Sequence, residues 1–219
     1  MKGRIKLTNG IGELEQAIRS HVKNRANRTF KQVESLVKQK LETKIRSNIL
    51  SSNTTRSLLN GKLRSDFGLN PTDAGIAVAA IVDHIVNNLE VNLKYSFRGK
   101  NIATFTLDLL PMGIEELSVL PQGNYLSTGK FGGGDVSWLT WLLTKGTTVV
   151  IGDYYVLENP RGASRSGSSV MQKNGKGGSG FRVDPAFAGT AQDNFVIRAL
   201  EPIIPEIIDE IFKVFNEVV

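Results

Sequence analysis

The sequence predicts an α+β protein: a small antiparallel sheet of three or more strands packed by helices, with a long N-terminal helix and an amphipathic C-terminal helix. Apolar residues recur every three or four positions over residues 11–50 and again over residues 195–218, the spacing of one helix face. Residues 91–98 and 102–109 carry apolar side chains at every second position, which is the period of a strand. We expect a single domain over residues 1–219, in which residues 1–50 form a basic helical arm and residues 158–180 an extended loop.

The composition restricts the chemistry that the chain can perform. Its 219 residues, 40% apolar and 22% charged, are typical of a globular protein with one sizeable core. No run of about 18 apolar residues predicts a membrane span, and the basic N-terminus has no apolar stretch of a secretory signal. Cysteine is absent and only two histidines are present, so there is little material for a metal site. We expect no cofactor and no metal ion.

Charge is distributed unevenly along the chain, although the net charge is only +6. Residues 1–70 carry 15 Lys/Arg and 5 Asp/Glu, and residues 159–183 carry 5 Lys/Arg and no acid. Residues 71–158 carry 5 Lys/Arg and 9 Asp/Glu, and residues 184–219 carry 2 and 7. This pattern favours an anionic partner, or contact between basic parts of one copy and acidic parts of the next. A solvated helix face and a solvated loop are the alternative.

In chain order, the first half predicts three helices, a hairpin and a short helix. The first helix, over residues 11–50, would be roughly 60 Å long at ~1.5 Å per residue, so it should project or pack on another subunit. A second helix starts at Ser52 or Asn53 and runs to about Asp66, and a third starts near Pro71. The strands over residues 91–98 and 102–109 form a hairpin, followed by a short helix over residues 114–117.

The second half predicts a tryptophan helix, further strands and the last helix. Core packing is the predicted role of Trp138, Trp141 and Leu142. A strand over residues 147–157 should pair with the hairpin, and residues 169–171 and 181–183 suggest short edge strands. The last helix should begin at a capping box over residues 190–193 and be kinked or split by two prolines, Pro202 and Pro205.

The long loop is the sharpest functional feature of the sequence. It combines glycine and serine with cations and contains no acid, as in loops that bind phosphates by charge or order on an acidic protein. A loop of this length inside a domain is more often functional than idle. Its proposed assembly-facing or DNA-facing residues are Arg161, Arg165, Lys173, Lys176 and Arg182.

No pattern in the sequence predicts catalysis. Residues 123–131 resemble a phosphate loop, but five residues separate the glycines and Phe131 stands where Ser or Thr should bind magnesium. The carboxylates are scattered, and no spacing assigns a nucleophile, a base or a metal site. We expect a protein that is not an enzyme.

Three motifs resemble those of a virion protein of tailed bacteriophages, most closely the tail-completion or neck proteins at the head–tail junction. They are Trp138-Leu139-Thr140-Trp141-Leu142-Leu143 before Gly146-Thr147, Ser164-Arg165-Ser166-Gly167 before Val170-Met171, and Phe187-Ala188-Gly189-Thr190 before Asp193-Asn194-Phe195 and Arg198-Ala199-Leu200. The order of elements is similar over most of the chain, and the residue-level similarity is confined to about 136–200. The insertion around 158–180 and the second and third helices are larger than in the smallest family members.

The resemblance implies a structural protein of the virion tail or neck, made in the host cytoplasm. It would form a ring, commonly of six copies, between the tail tube or terminator and the head connector, without contact to a membrane. The arm or the loop could touch channel DNA regardless of its sequence. The last helix could pack between subunits through Ile204, Ile208, Ile211, Phe212 and Phe215. Alternatives are a tail-terminator, sheath-associated or baseplate protein and, outside the virion, a free DNA-binding protein that uses the basic arm.

Overall fold

The structure is a computed structural model that describes residues 11–95, 103–108, 113–127, 134–158, 164, 166–167, 169–173 and 180–218. Its helices are α1 (Ile11–Ser51), α2 (Asn53–Asn60), α3 (Lys62–Asp66), α4 (Pro71–Asn87), α5 (Gly113–Ser118), α6 (Trp138–Thr144), α7 (Phe195–Leu200) and α8 (Ile203–Val218). Its strands are β1 (Glu90–Tyr95), β2 (Ala103–Asp108), β3 (Tyr125–Ser127), β4 (Gly134–Val136), β5 (Tyr154–Glu158) and β6 (Ser169–Lys173). The mixed helix-and-strand class is therefore as predicted.

Helix α1 is the element on which most of the others pack. Its inward residues follow each other at steps of three and four, so they form one continuous apolar face. Helices α2, α4, α7 and α8 and strand β1 contact α1. The buried residues of this face are Phe30, Val33, Val37, Leu41, Ile45 and Ile49, all at most 9% exposed.

Helix α8 lies antiparallel on α1, held by apolar contact and by two ion pairs. Lys44 pairs with Glu206, and Lys40 pairs with Glu210, one helical turn further along each helix. Ile207, between the two acids, is 3% exposed. Part of the basic arm is therefore neutralised within the subunit by the acidic C-terminal segment.

The N-terminal part of α1 extends beyond α8. The two ion pairs advance one turn along each helix in opposite directions. Continuing at this spacing places Val218, the end of α8, beside about residue 32 of α1, so roughly 30 Å of α1 continues past that point. The described side chains in this extension include exposed Ser20, Asn24, Asn27 and Arg28. The prediction that α1 is too long for one small domain thus agrees with its geometry.

Two predicted helix boundaries are wrong. The helix expected up to Asp66 is interrupted at Gly61, whose backbone is extended and lies against Ser57; a Cβ there would be 2.8 Å from the Ser57 Cα. The last helical region starts at Phe195 and not at the predicted capping box, because Asn194 is the N-cap and accepts from the backbone N–H of Val196 at 3.1 Å. The predicted split at Pro202 is confirmed, since α7 and α8 are separate helices, whereas Pro205 lies inside the first turn of α8.

The described strands form three separate antiparallel pairs, β1–β2, β3–β4 and β5–β6. A sheet of three or more strands is therefore not confirmed, and the predicted pairing of a strand over residues 147–157 with the β1–β2 hairpin is wrong. Asp153, with φ of +57°, turns the chain before β5 starts at Tyr154. β5 then pairs with the nearby β6, because closing a short loop costs less chain entropy than reaching a distant hairpin.

The first hairpin, the short helix and one of the two edge strands agree with the predictions. The β1–β2 hairpin, the short helix at α5 and an edge strand at residues 169–171 are confirmed. Phe181 makes a single bridge to Ile151 and no strand. The hairpin turn at residues 98–101 lies outside the described residues. Within the described part of the chain, no helix combines the length and apolarity needed to cross a membrane.

The α1–α8 ion pairs predict a pH-dependent stability. The hydrogen bond from Lys40 lowers the pKa of Glu210 below its ordinary value of 4.5. A carboxyl with a lower pKa in the folded state stabilises the protein above its unfolded pKa and loses this contribution as pH falls through the folded pKa. Glu210→Gln should therefore lower the urea midpoint at pH 7, and this effect should diminish at an acidic pH below 4.5. A variant effect of equal size at both pH values would contradict the ion pair.

Candidate functional site

The β5–β6 hairpin carries the basic loop that the sequence singled out. Lys173, the last residue of β6, is exposed and lies opposite Tyr154, and Arg182 is exposed between the buried residues Phe181 and Val183. Arg161, Arg165 and Lys176 lie outside the described residues. Of the five predicted loop cations, the structure thus places two, one at each end of the segment 173–182.

An aromatic cluster fixes the base of this hairpin. Trp138 of α6 lies 5.5 Å from Phe67 between ring centroids, and Phe181 lies 6.4 Å from Phe67 and 6.1 Å from Trp141. Trp138 and Leu142 are 1% and 0% exposed, while Trp141 is partly buried against the core. Rings at these separations attract each other beyond their burial. The tryptophan helix therefore packs directly against the residue at which the loop segment returns to the core.

A second attachment joins the other end of the hairpin to α3. Ser169, the first residue of β6, is 5% exposed, and its hydroxyl donates to the backbone carbonyl of Ser65. Ser164 and Ser166 donate to the carbonyl of Ser169, which orders the chain just before the strand. The hairpin is consequently fastened to the body at both ends.

The side chains of Lys62, Asp66 and Asp184 form a charged clamp that ties the segment after Phe181 to α3. Lys62 Nζ lies 2.7 Å from Asp66 Oδ2 and 3.4 Å from Asp184 Oδ2. Asp66 is only 6% exposed, whereas the Lys62 side chain is 51% exposed. One lysine therefore compensates a buried carboxylate and bridges two separate segments of the chain.

Burial and pairing shift the pKa values of this clamp in different directions. Desolvation raises the pKa of Asp66, against the opposite effect of its hydrogen bond with Lys62. The backbone N–H of Ala186, 3.0 Å from Asp184 Oδ1, lowers the pKa of Asp184. Burial alone would lower the pKa of Lys62, but its two carboxylate partners raise it overall. Lys62 therefore stays charged wherever the carboxylates are ionised.

The predicted inter-subunit helix has one side against its own subunit. Ile203, Ile207 and Val214 are at most 3% exposed, and Ile211 is partly buried. Ile204 is 52% exposed. Ile208, Phe212 and Phe215 belong to α8, but their side chains lie outside the described part. Of the residues proposed for subunit contact, Ile204 is thus the one that the structure places at the surface.

The sequence analysis did not predict the charged clamp or the buried hydrogen bond from Ser169 to Ser65. The i,i+4 spacing of Lys62 and Asp66 on one short helix was a signal for their pairing. Nothing in the sequence pointed to Asp184, which approaches from a segment far along the chain. Among the described residues, no group of three His, Asp or Glu side chains is placed to hold a metal ion.

The comparisons with known proteins do not identify the chain. No protein-family model, no curated protein and no solved structure matches it. The resemblance to head–tail joining proteins therefore stays a prediction from the motifs.

Removing the shared lysine should destabilise the fold. Lys62→Met leaves the buried Asp66 carboxylate without its cation, which should cost about 1–3 kcal/mol in the free energy of unfolding. Lys213→Met is the control, because that lysine is 69% exposed and pairs with Glu210 only at 4.0 Å, so its loss should cost less than about 0.5 kcal/mol. Adding Asp66→Asn to Lys62→Met should recover part of the loss. Equal urea midpoints for Lys62→Met and Lys213→Met would contradict the clamp.

Proposed function

We propose that this chain is a structural subunit of a ring at the head–tail junction of a tailed bacteriophage, where it joins the tail tube to the head connector. The proposal begins from the motif resemblance and is supported best by α8. That helix buries Ile203, Ile207 and Val214 within the subunit, yet leaves Ile204 52% exposed at the edge of the same apolar face. An exposed apolar side chain beside a buried helix face is suited to packing between subunits.

The attachment of the hairpin supports the same role. The aromatic cluster, the Ser169 hydroxyl and the Lys62 clamp hold the strands from which the basic loop departs. A loop that docks on a neighbouring ring needs such a fixed base, because binding then orders few additional residues. The sheet of three or more strands expected from the sequence would form if an open edge of one two-stranded sheet paired with a neighbouring subunit.

A tail-terminator, sheath-associated or baseplate position is the alternative within the virion. A free DNA-binding protein is the alternative outside it, and the exposed cations Arg28 and Lys31 on the α1 extension favour that reading. Against it, Lys40, Lys44 and Arg46 are paired with Glu210, Glu206 and Asp83 of the same chain. Light scattering and a DNA titration at two salt concentrations separate the two classes. A closed oligomer favours the ring, and a monomer that binds DNA tightly favours the free protein.

Substituting the exposed isoleucine of α8 should prevent assembly without unfolding the subunit. Ile204→Glu places a charge in the proposed contact, so the oligomer should dissociate at least tenfold more readily, for about 1.4 kcal/mol or more. Ile76→Glu is the matched control, because Ile76 is 54% exposed on α4 outside this surface. Sedimentation of both variants measures the effect. Dissociation caused equally by both substitutions would refute a specific role for α8.

Reversing the charge of the loop should block particle assembly. The triple variant Arg161→Glu, Arg165→Glu and Lys176→Glu should yield a folded subunit and no infectious particles, since its acidic docking partner would repel it. Circular dichroism checks the fold and plaque counts check assembly. Normal particle yields from the triple variant would eliminate the loop as a docking element.

A further inference from the structure

A cavity of about 510 Å³ lies where α1 passes into α2, opposite α7. Its volume is in the range of small-molecule sites. Arg198 of α7 is a cation in its wall, and no Asp or Glu lines it within the described part of the chain. The cavity therefore favours a small anionic ligand. Its lining includes Asn48, Asn53, Thr54, Phe195, Arg198 and Pro202.

The first turn of α2 contributes free backbone donors to this wall. Ser52 is the N-cap, and its hydroxyl oxygen accepts from the backbone N–H of Thr55 at 3.1 Å. The N–H groups of Asn53 and Thr54 precede the first hydrogen bond of the helix, from Arg56 to Ser52, and the described residues provide no acceptor for them. Unpaired N–H groups at the positive end of a helix attract anions.

The side chain of Thr54 is an independent sign of a ligand. Thr54 lines the cavity and is only 6% exposed, yet its hydroxyl has no hydrogen-bond partner among the residues that the structure describes. The hydroxyls of Ser51 and Ser52, on the same wall, bond Asn48 and Thr55 of the chain itself. A buried polar group without a partner is costly, so the Thr54 hydroxyl is expected to bond a molecule in the cavity.

The guanidinium of Arg198 is held in place by two hydrogen bonds. Its Nε donates to Asp193 Oδ1 at 2.6 Å, and its Nη2 donates to the carbonyl of Ala188 at 3.4 Å. Nη1 has no acceptor in the part of the chain that the structure describes. The side chain is 43% exposed, so a ligand can approach it from solvent. Asp193 does not line the cavity, which leaves the charge of Arg198 available there.

We propose that this cavity binds a phosphate group, with the N–H groups of Asn53 and Thr54, the Thr54 hydroxyl and the Arg198 guanidinium as donors. Donors from two elements suit a tetrahedral phosphate, which offers more acceptor oxygens than a planar carboxylate. The phosphate is either free or part of a small organic ester, whose body would contact the apolar lining at Phe195 and Pro202. The site lies within one subunit and is independent of the proposed ring.

Calorimetric titration of the full chain with inorganic phosphate and with phenyl phosphate tests the site. Thr54→Val keeps the shape of the side chain but removes its hydroxyl, so phosphate should bind about tenfold more weakly or worse. Thr54→Ser restores the hydroxyl and should restore most of the affinity. Arg198→Gln should also weaken binding about tenfold. Arg56→Gln is the control, because Arg56 is exposed on the same helix outside the cavity. Its affinity should be unchanged.

The two probes distinguish the sources of the phosphate. Tighter binding of phenyl phosphate would assign an organic ester, and equal affinities would assign free phosphate. No binding of either probe at millimolar concentration would overturn the inference, as would equal losses in Arg56→Gln and Arg198→Gln. Circular dichroism without phosphate checks that each variant folds, and the two arginine variants decide the question if Thr54→Val does not. Binding of duplex DNA that Arg198→Gln abolishes, without binding of either probe, would assign the site to nucleic acid and refute a small ligand.

Discussion

The packing of α1 against its neighbours is the constraint on which the rest of the structure depends. Its buried stripe from Phe30 to Ile49 contacts helices from both ends of the chain and strand β1. A polar residue in the middle of this stripe, at Leu41 or Ile45, would disturb several interfaces together, because all of them use the same helix face. The stripe also fixes where α8 lies, and hence which side of α8 is left for other contacts.

Basic and acidic segments that are far apart in the sequence pair with each other in the folded subunit. The basic N-terminal segment and the acidic C-terminal segment are far apart in sequence, but α1 and α8 bring Lys40 and Lys44 beside Glu210 and Glu206. Part of the excess charge of each segment is therefore neutralised inside one subunit. Among the described residues, exposed charges without an ion pair include Arg28 and Lys31 on the α1 extension and Glu115 and Glu116 on α5, and these are available to a partner.

The sequence predicts elements well where a local pattern determines them. The α1 stripe, the alternation of β1 and β2, the Asn70–Pro71 helix start and the break at Pro202 all depend on near neighbours. It fails where distant packing decides: Gly61 interrupts a helix because of its close approach to Ser57, and β5 pairs with β6 and not with the first hairpin. The candidate site follows the same division. The basic loop was visible in the composition, whereas Asp184 beside Lys62 and Ser169 beside Ser65 are products of tertiary structure.

The proposed function requires identical copies of this chain to close into a ring. Electron microscopy of the purified full-length chain, at concentrations where light scattering reports an oligomer, tests it most directly. A ring-forming subunit should give closed rings with a central channel and a mass that is a multiple of 24.0 kDa. Particles of 24.0 kDa at every concentration, or open filaments without closure, would contradict it.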